Sequence, residues 1–215
     1  METLGQVHLN TPFGNMLFAV ASNPSISSVV EVGTWKGFGT TRCIMEALNR
    51  RFLEHGSQNL HFYSFESNLE FFKEAASLWR PGGYPFLHLC YGKLHENGLL
   101  TREQIEAHPL VEHVRTHYEI WYQQDVEDYQ KAPFIKPIYL PPQIDMVVLD
   151  GGEFSGYADW LALKEKKPLL VCLDDTNVMK NERVYRELKE DKAWNLVTEG
   201  QDRHGWAIFT RVLPY

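Results

Sequence analysis

Cysteine is scarce: the 215 residues hold only Cys43, Cys90 and Cys172, and no two of them stand at Cys-x-x-Cys spacing. That scarcity excludes a disulfide framework, a dithiol redox motif and a thiolate zinc site, and it leaves buried free thiols in a reducing compartment as the expectation. Long apolar runs are missing too. No stretch of about 18 apolar residues occurs, and the opening METLGQVHLN has no basic segment leading into an apolar one. Neither a membrane span nor a secretory leader is expected, and the chain reads as cytoplasmic. Basic residues are in deficit, with 21 Lys and Arg against 28 Asp and Glu, for a net charge of -7. The bases are scattered among the acids and form no stripe to neutralise a phosphate backbone, which argues against nucleic acid as substrate.

What is present is a regular alternation of strand-like and helix-like segments. The length fits one domain, 1–215, able to bury its own core. FGNMLFAVAS (13–22) has helical apolar spacing, and Asn23-Pro24 ends it. SSVVEVG (27–33) reads as a strand, and TTRCIMEALNRRFLEH (40–55) as a helix after a glycine-rich link. The pattern repeats with a strand at 59–66, a helix at 67–79 capped by Ser67 or Asn68, and a strand at 86–92. IDMVVLDGG (144–152) and PLLVCLDD (168–175) are continuous apolar runs, as expected of strands covered by helices on both faces. A helix is expected over 178–191. WNLVTEG (194–200) and GWAIFTRVL (205–213) are joined by too short a link for anything but an antiparallel hairpin. The whole predicts a doubly wound, mostly parallel seven-stranded α/β sheet with a C-terminal antiparallel hairpin. Residues 93–142 break the alternation. They read as a helical insertion before the fourth strand, amphipathic over 101–132 and proline-rich over 133–142.

In an open parallel sheet, ligands bind beyond the carboxyl ends of the strands, and here those ends are acidic and glycine-rich. EVGTWKGFGTT (31–41) places Gly33, Gly37 and Gly39 where the backbone can turn tightly and approach a ligand. Its G-x-x-x-G-x-G spacing is neither the dinucleotide fingerprint nor a P-loop. Glu31 before that loop suits a cationic ligand group, and Glu66 at the end of the second strand is placed to accept from both hydroxyls of a ribose. Tyr118, Trp121, Tyr122 and Tyr129 form an aromatic cluster suited to stacking on a ring or sugar, or simply to packing a core.

The succession EVGTWKGFGTT, SFES (64–67), IDMVVLDGGEF (144–154) and LLVCLDDTN (169–177), closed by an antiparallel pair, resembles the class I S-adenosylmethionine-dependent methyltransferases. Within that class it is most similar to the small-molecule O-methyltransferases of the catechol and macrocin type and to the cephalosporin-hydroxylase group. The resemblance covers most of the chain outside 93–142. It implies a Rossmann-like fold and S-adenosylmethionine as cofactor. Glu31, Gly33, Thr34, Gly37 and Gly39 would line the methionine part, Glu66 and Ser67 the ribose, and Gly92 the adenine, with Asp150 also at the cofactor.

It further implies a divalent ion, Mg²⁺ by preference, on Asp150, Asp174 and Asp175. Independently, three converging carboxylates repel one another unless something positive lies between them, and oxygen donors suit a hard cation. The competing reading makes Asp174 or Asp175 the cap of the next helix and Asp150 a plain strand end. The sequence departs from the family in having no lysine or histidine shortly after Asp150, where it reads Gly151-Gly152-Glu153. Glu153 is then the candidate base beside Asp150, and His204 is either a second candidate or a surface residue. The expected reaction is O-methylation of a small-molecule hydroxyl, on a sugar or secondary metabolite. The insertion would cover the acceptor, with Tyr118, Trp121, Tyr122 and Trp160 near it. A hydroxylase-like relative and a non-catalytic binding module stand as alternatives, and the aromatic insertion also suits a homo-oligomer interface.

Overall fold

Thr11 starts the first helix, α1 (Pro12–Ala21), by accepting from the Gly14 N–H at 3.2 Å, while Pro12 takes a position where no N–H is needed. Helices and strands then alternate through the computed structural model, which describes residues 5–56 and 59–212. They are β1 (Ser28–Val32), α2 (Thr40–His55), β2 (His61–Glu66), α3 (Leu69–Trp79) and β3 (Leu87–Tyr91). The inserted segment contributes α4 (Arg102–Glu106), α5 (Val111–Val114) and α6 (Tyr118–Lys131). After it come β4 (Met146–Leu149), α7 (Gly156–Lys164), β5 (Leu170–Asp174), α8 (Glu182–Glu190), β6 (Trp194–Gly200) and β7 (Trp206–Arg211).

The seven strands form one sheet in the order β3-β2-β1-β4-β5-β7-β6. The first five are parallel, and β7 runs antiparallel between β5 and β6. Alternate residues of each central strand feed two separate cores, as a period of two requires. Val29, Phe62, Met146, Val148, Cys172 and Ile208 pack with Phe13, Leu17, Ile44 and Leu48 of α1 and α2. Val30, Val147, Leu149, Val171, Leu173 and Phe209 pack with Trp160, Leu163, Val184 and Leu188 of α7 and α8. All five residues of β1 are buried, which is the reason its sequence reads as a run rather than an alternation.

The expected elements are all found, most with edges moved by one to four residues. The helix expected over 67–79 starts at Leu69, because the Asn68 side chain accepts from the N–H groups of Glu70 and Phe71. The helix expected over 178–191 starts at Glu182, and α7 was not anticipated. Cys43 and Cys172 are fully buried free thiols, and Cys90 is half-buried. No helix among the described residues is long and apolar enough to cross a membrane. The first four residues of the opening segment, and residue 213 of the last expected strand, lie outside the described residues.

The inserted segment closes on itself: the Lys93 N–H donates to the Pro133 carbonyl and the Ile135 N–H to the Lys93 carbonyl, at 3.0 and 2.9 Å. Between those ties, Ile105, Val111, Val114 and Tyr118 make a small core with Phe154 and Met179. The segment is thereby seated on the loops that follow β4 and β5, above the carboxyl edge of the sheet.

At the opposite edge, Asp145 accepts from the N–H groups of Ser27 and Ser28 at 2.8 and 2.9 Å and so joins the start of β4 to the start of β1. Asp145→Ala leaves those donors unpaired and is expected to cost about 2–4 kcal/mol, read as a lowered urea midpoint at unchanged slope.

Candidate functional site

The carboxyl ends of β1 and β4 approach each other through Gly33, whose φ is 100°. A Cβ there would lie 2.1 Å from the Asp150 carbonyl oxygen, so no other residue fits. Beside this contact opens a cavity of about 400 Å³. Of the residues singled out in the sequence, Gly33, Thr34, Gly39, Glu66, Ser67, Gly92, Asp150, Asp174 and Asp175 line it. Glu66 Oε2 accepts from the Trp35 N–H at 2.6 Å and Oε1 from the Asn68 N–H at 2.8 Å, tying the loop after β1 to the start of α3. Burial pushes the Glu66 carboxyl up to about 8. Gly37 is not in the wall; its carbonyl accepts from Trp79 Nε1 at 3.0 Å, which anchors the back of the loop.

Asp150, Asp174 and Asp175 do converge, with one carboxylate oxygen of each within 4.8 Å of the others. The positive group among them is Lys180. Its Nζ lies 3.0 Å from Asp150 Oδ1 and 2.7 Å from Asp175 Oδ2. Arg203, brought by the hairpin between β6 and β7, lies 3.4 Å from Asp174 Oδ2 and 3.6 Å from Asp175 Oδ1. Burial, and next the Asp150 charge, push the Asp174 carboxyl up to about 8. Burial opposes the charge on Asp175 most, but the charge and hydrogen bond of Lys180, with the charges of Arg203 and His204, together outweigh it and hold that carboxyl below its ordinary value. Neither Asp174 nor Asp175 caps α8, which Asn181 precedes.

A second cavity, of about 340 Å³, shares Gln6, Gln124, Asp125, Gly151, Asp175 and Lys180 with the first. Glu153, His113, His204 and Trp121 complete much of its wall. Burial raises the carboxyls of both Glu153 and Asp125 to about 7, and Glu153 Oε1 and Asp125 Oδ2 have no hydrogen-bond partner. His204 is exposed at the rim. Of the four aromatics expected here, only Trp121 lines this cavity. Tyr118 and Tyr122 pack edge-on against Phe154. Trp160 is buried in the core that α7 and α8 form with the sheet, with its Nε1 on Glu187 at 3.0 Å. Tyr129 lines the first cavity instead, together with Asp125 and Asp128 of α6.

Sequence reasoning missed Lys180, Arg203, Asp125, Asp128 and Trp35. Lys180 was hidden because residues 178–181 read as helix, whereas they form the loop before α8. Asp125 and Asp128 belong to a mostly polar helix with no visible link to the strand ends, and no signal marks them.

Glu31 is fully buried and outside both cavity walls. Its Oε2 accepts from Ser64 and from Thr41 Oγ1, the latter at 2.7 Å, and its Oε1 has no partner. This carboxyl braces β1 against β2 and α2 from beneath the glycine loop. Burial pushes it from its ordinary 4.5 up to about 7. Because the folded-state value is the higher, its favourable contribution is complete below about pH 4.5 and is lost as pH rises through 7. Glu31→Gln mimics the protonated form, so the stability difference, variant minus wild type, should rise by about 1.4 kcal/mol per pH unit across that window. Urea titrations at a series of pH values measure it, and a flat difference would contradict the assignment.

The sequence matches no family model and no curated protein. The fold, by contrast, has solved counterparts. A methyltransferase from Geobacter sulfurreducens aligns at TM-score 0.58 with 11% identity, over 95% of this chain and 80% of that one. The O-methyltransferase from Bacillus cereus in complex with SAH aligns at 0.57 with 13% identity, over 97% and 84%. An rRNA methylase from Streptococcus thermophilus aligns at 0.53 with 10% identity, over 96% and 100%. Acceptors as different as these share the architecture, so the fold names no acceptor. With its 3-2-1-4-5-7-6 sheet and the cavity beyond the parallel strand ends, the chain has the fold of the class I S-adenosylmethionine-dependent methyltransferases.

Proposed function

We propose that the protein is an S-adenosylmethionine-dependent methyltransferase acting on a hydroxyl of a small molecule. The observation that carries the reading is the first cavity, where the glycine loop after β1, the Glu66 carboxyl at the end of β2 and Gly92 after β3 meet in one wall. Gly33, Thr34 and Gly39 would hold the methionine end, Glu66 and Ser67 the ribose, and Gly92 would border the adenine. Glu31 supports that loop from below, which revises its role from contact to brace. Bound there, the cofactor supplies an electrophilic sulfonium methyl group.

The second cavity suits the acceptor, because its wall is continuous with the first through Gly151, Asp125 and Lys180. The reaction forms a bond between the acceptor oxygen and the methyl carbon and breaks the sulfur–carbon bond, whose electron pair stays on sulfur. The hydroxyl proton passes to Glu153, a carboxylate with an open oxygen and an affinity for protons raised by burial. The inserted segment roofs the cavities in part: α6 supplies Gln124 and Asp125 to both, and α5 supplies His113 and Val114 to the second. A sugar or secondary metabolite remains the proposed acceptor class.

The divalent ion implied by the resemblance has a donor set of hard oxygens on Asp150, Asp174 and Asp175. The structure fits it poorly: four of the six oxygens already face Lys180 or Arg203. No step is assigned to a metal.

Binding is testable without the acceptor. S-adenosylmethionine or S-adenosylhomocysteine, at about 100 times its dissociation constant, should add roughly 2.7 kcal/mol, seen as a rise of about 5–10 °C in melting temperature. Glu66→Ala should remove most of that rise. Absence of a shift with either ligand in the wild type would leave the fold as a binding module for something else.

A further inference from the structure

Lys180 is placed by the backbone and not only by its own charge. The neighbouring Asn181 is fully buried and donates from Nδ2 to the carbonyls of Leu149 and Asp174, at 3.0 and 2.7 Å, across the ends of β4 and β5. On the other side, Gly156 at the start of α7 lets the Lys180 carbonyl come so close that a Cβ would stand 2.1 Å from it. The loop is thus pinned at both flanks, and the Lys180 side chain, only 11% exposed, projects to the junction of the two cavities.

The carboxylates are correspondingly engaged. Asp150 Oδ1 and Asp175 Oδ2 face Lys180, Asp150 Oδ2 accepts from Thr40 Oγ1 at 3.2 Å, and Asp174 Oδ2 and Asp175 Oδ1 face Arg203. Five of the six oxygens therefore have a cation or hydroxyl within 3.6 Å. Asp175 Oδ1 has no hydrogen-bond partner, but a divalent ion entering this group would sit beside an ammonium and a guanidinium whose charges repel it, and would have to displace the hydrogen bonds on Asp150.

We propose that Lys180 is a built-in replacement for the divalent ion, so that these three carboxylates bind no metal and the positive charge facing the acceptor oxygen is the lysine ammonium. The metal-exclusion half stands on the geometry alone; the acceptor half rests on the methyl-transfer reading above. In that reaction Lys180 Nζ donates to the acceptor oxygen and stabilises the negative charge that grows as Glu153 takes its proton.

The test uses Mn²⁺ as probe, followed by electron paramagnetic resonance and by melting temperature on EDTA-treated protein. Wild type should show no saturable Mn²⁺ binding and no metal-dependent shift. Lys180→Ala and Lys180→Met, the second retaining the apolar stem, should melt lower than wild type and bind Mn²⁺ at least about tenfold tighter than wild type does. Mn²⁺ should restore part of their lost melting temperature, and adding Asp150→Asn should remove that gain. Tight Mn²⁺ binding by the wild type overturns the proposal, and this outcome does not depend on any variant folding. A folded variant that gains no Mn²⁺ affinity overturns it as well, since Lys180 would then not be what keeps the ion out. S-adenosylhomocysteine shifts on the same samples separate the two readings: their absence counts against methyl transfer and leaves the Mn²⁺ result standing.

Discussion

Buried negative charge at one edge of the sheet is the constraint to which the rest of the site answers. Parallel strands all deliver their carboxyl ends to the same side, and here those ends carry Glu66, Asp150 and Asp174, with Asp175 directly after. Uncompensated carboxylates in a dry cleft are costly, so each either gains a cation or a proton. Asp150 and Asp175 gain Lys180, and Asp175 faces Arg203 as well. Glu31 and Glu66 form no ion pair among the described residues and have only hydroxyl and amide donors, and burial raises their proton affinity. The pinned loop before α8 and the hairpin tip that brings in Arg203 are the structural means of that compensation. The Thr176 and Asn177 N–H groups donate to the carbonyls of Gly205 and His204, which locks the two together.

Close backbone approach is the second requirement, and it is what the glycines after β1 serve. Gly33 lets the ends of β1 and β4 touch, and Gly37 fits against Trp79 with its φ at 79°. The result is a rigid floor over which two cavities open side by side. Their roof adds two more carboxylates, Asp125 and Asp128, to a cleft that is already acidic. The raised proton affinity of Asp125 follows from that roof, since α6 closes it in beside Asp128 and away from water. Fold and electrostatics are therefore coupled: the element that encloses the cavities also sharpens the need for Lys180.

Much of this was legible in the chain. Apolar runs such as MVVL and LVCL have no polar face, and only a strand covered on both sides accommodates them. The short link after Gly200 admits only an antiparallel return. The order of acidic and glycine-rich strand ends located the first cavity, because in a parallel sheet strand ends share one edge whatever the loops do. The opaque parts were those whose local pattern says nothing of where they pack. Residues 178–181 read as the start of a helix and 101–132 as amphipathic helix, and the insertion's aromatics divide between its own packing and the cavity walls for reasons of tertiary contact.

The sequence by itself determined the sheet, its direction of winding and the residues that meet at its carboxyl edge, because hydrophobic periodicity and turn chemistry act over a few neighbours. It also posed the charge problem, in the form of three aspartates bound to converge. Only the tertiary structure decided what answers that problem, because Lys180 lies 30 residues from Asp150, and Arg203 28 residues beyond Asp175, in the chain. Which cation reaches a buried carboxylate depends on how loops 149–156, 175–181 and 201–205 pack together, and no local pattern in the chain encodes that packing.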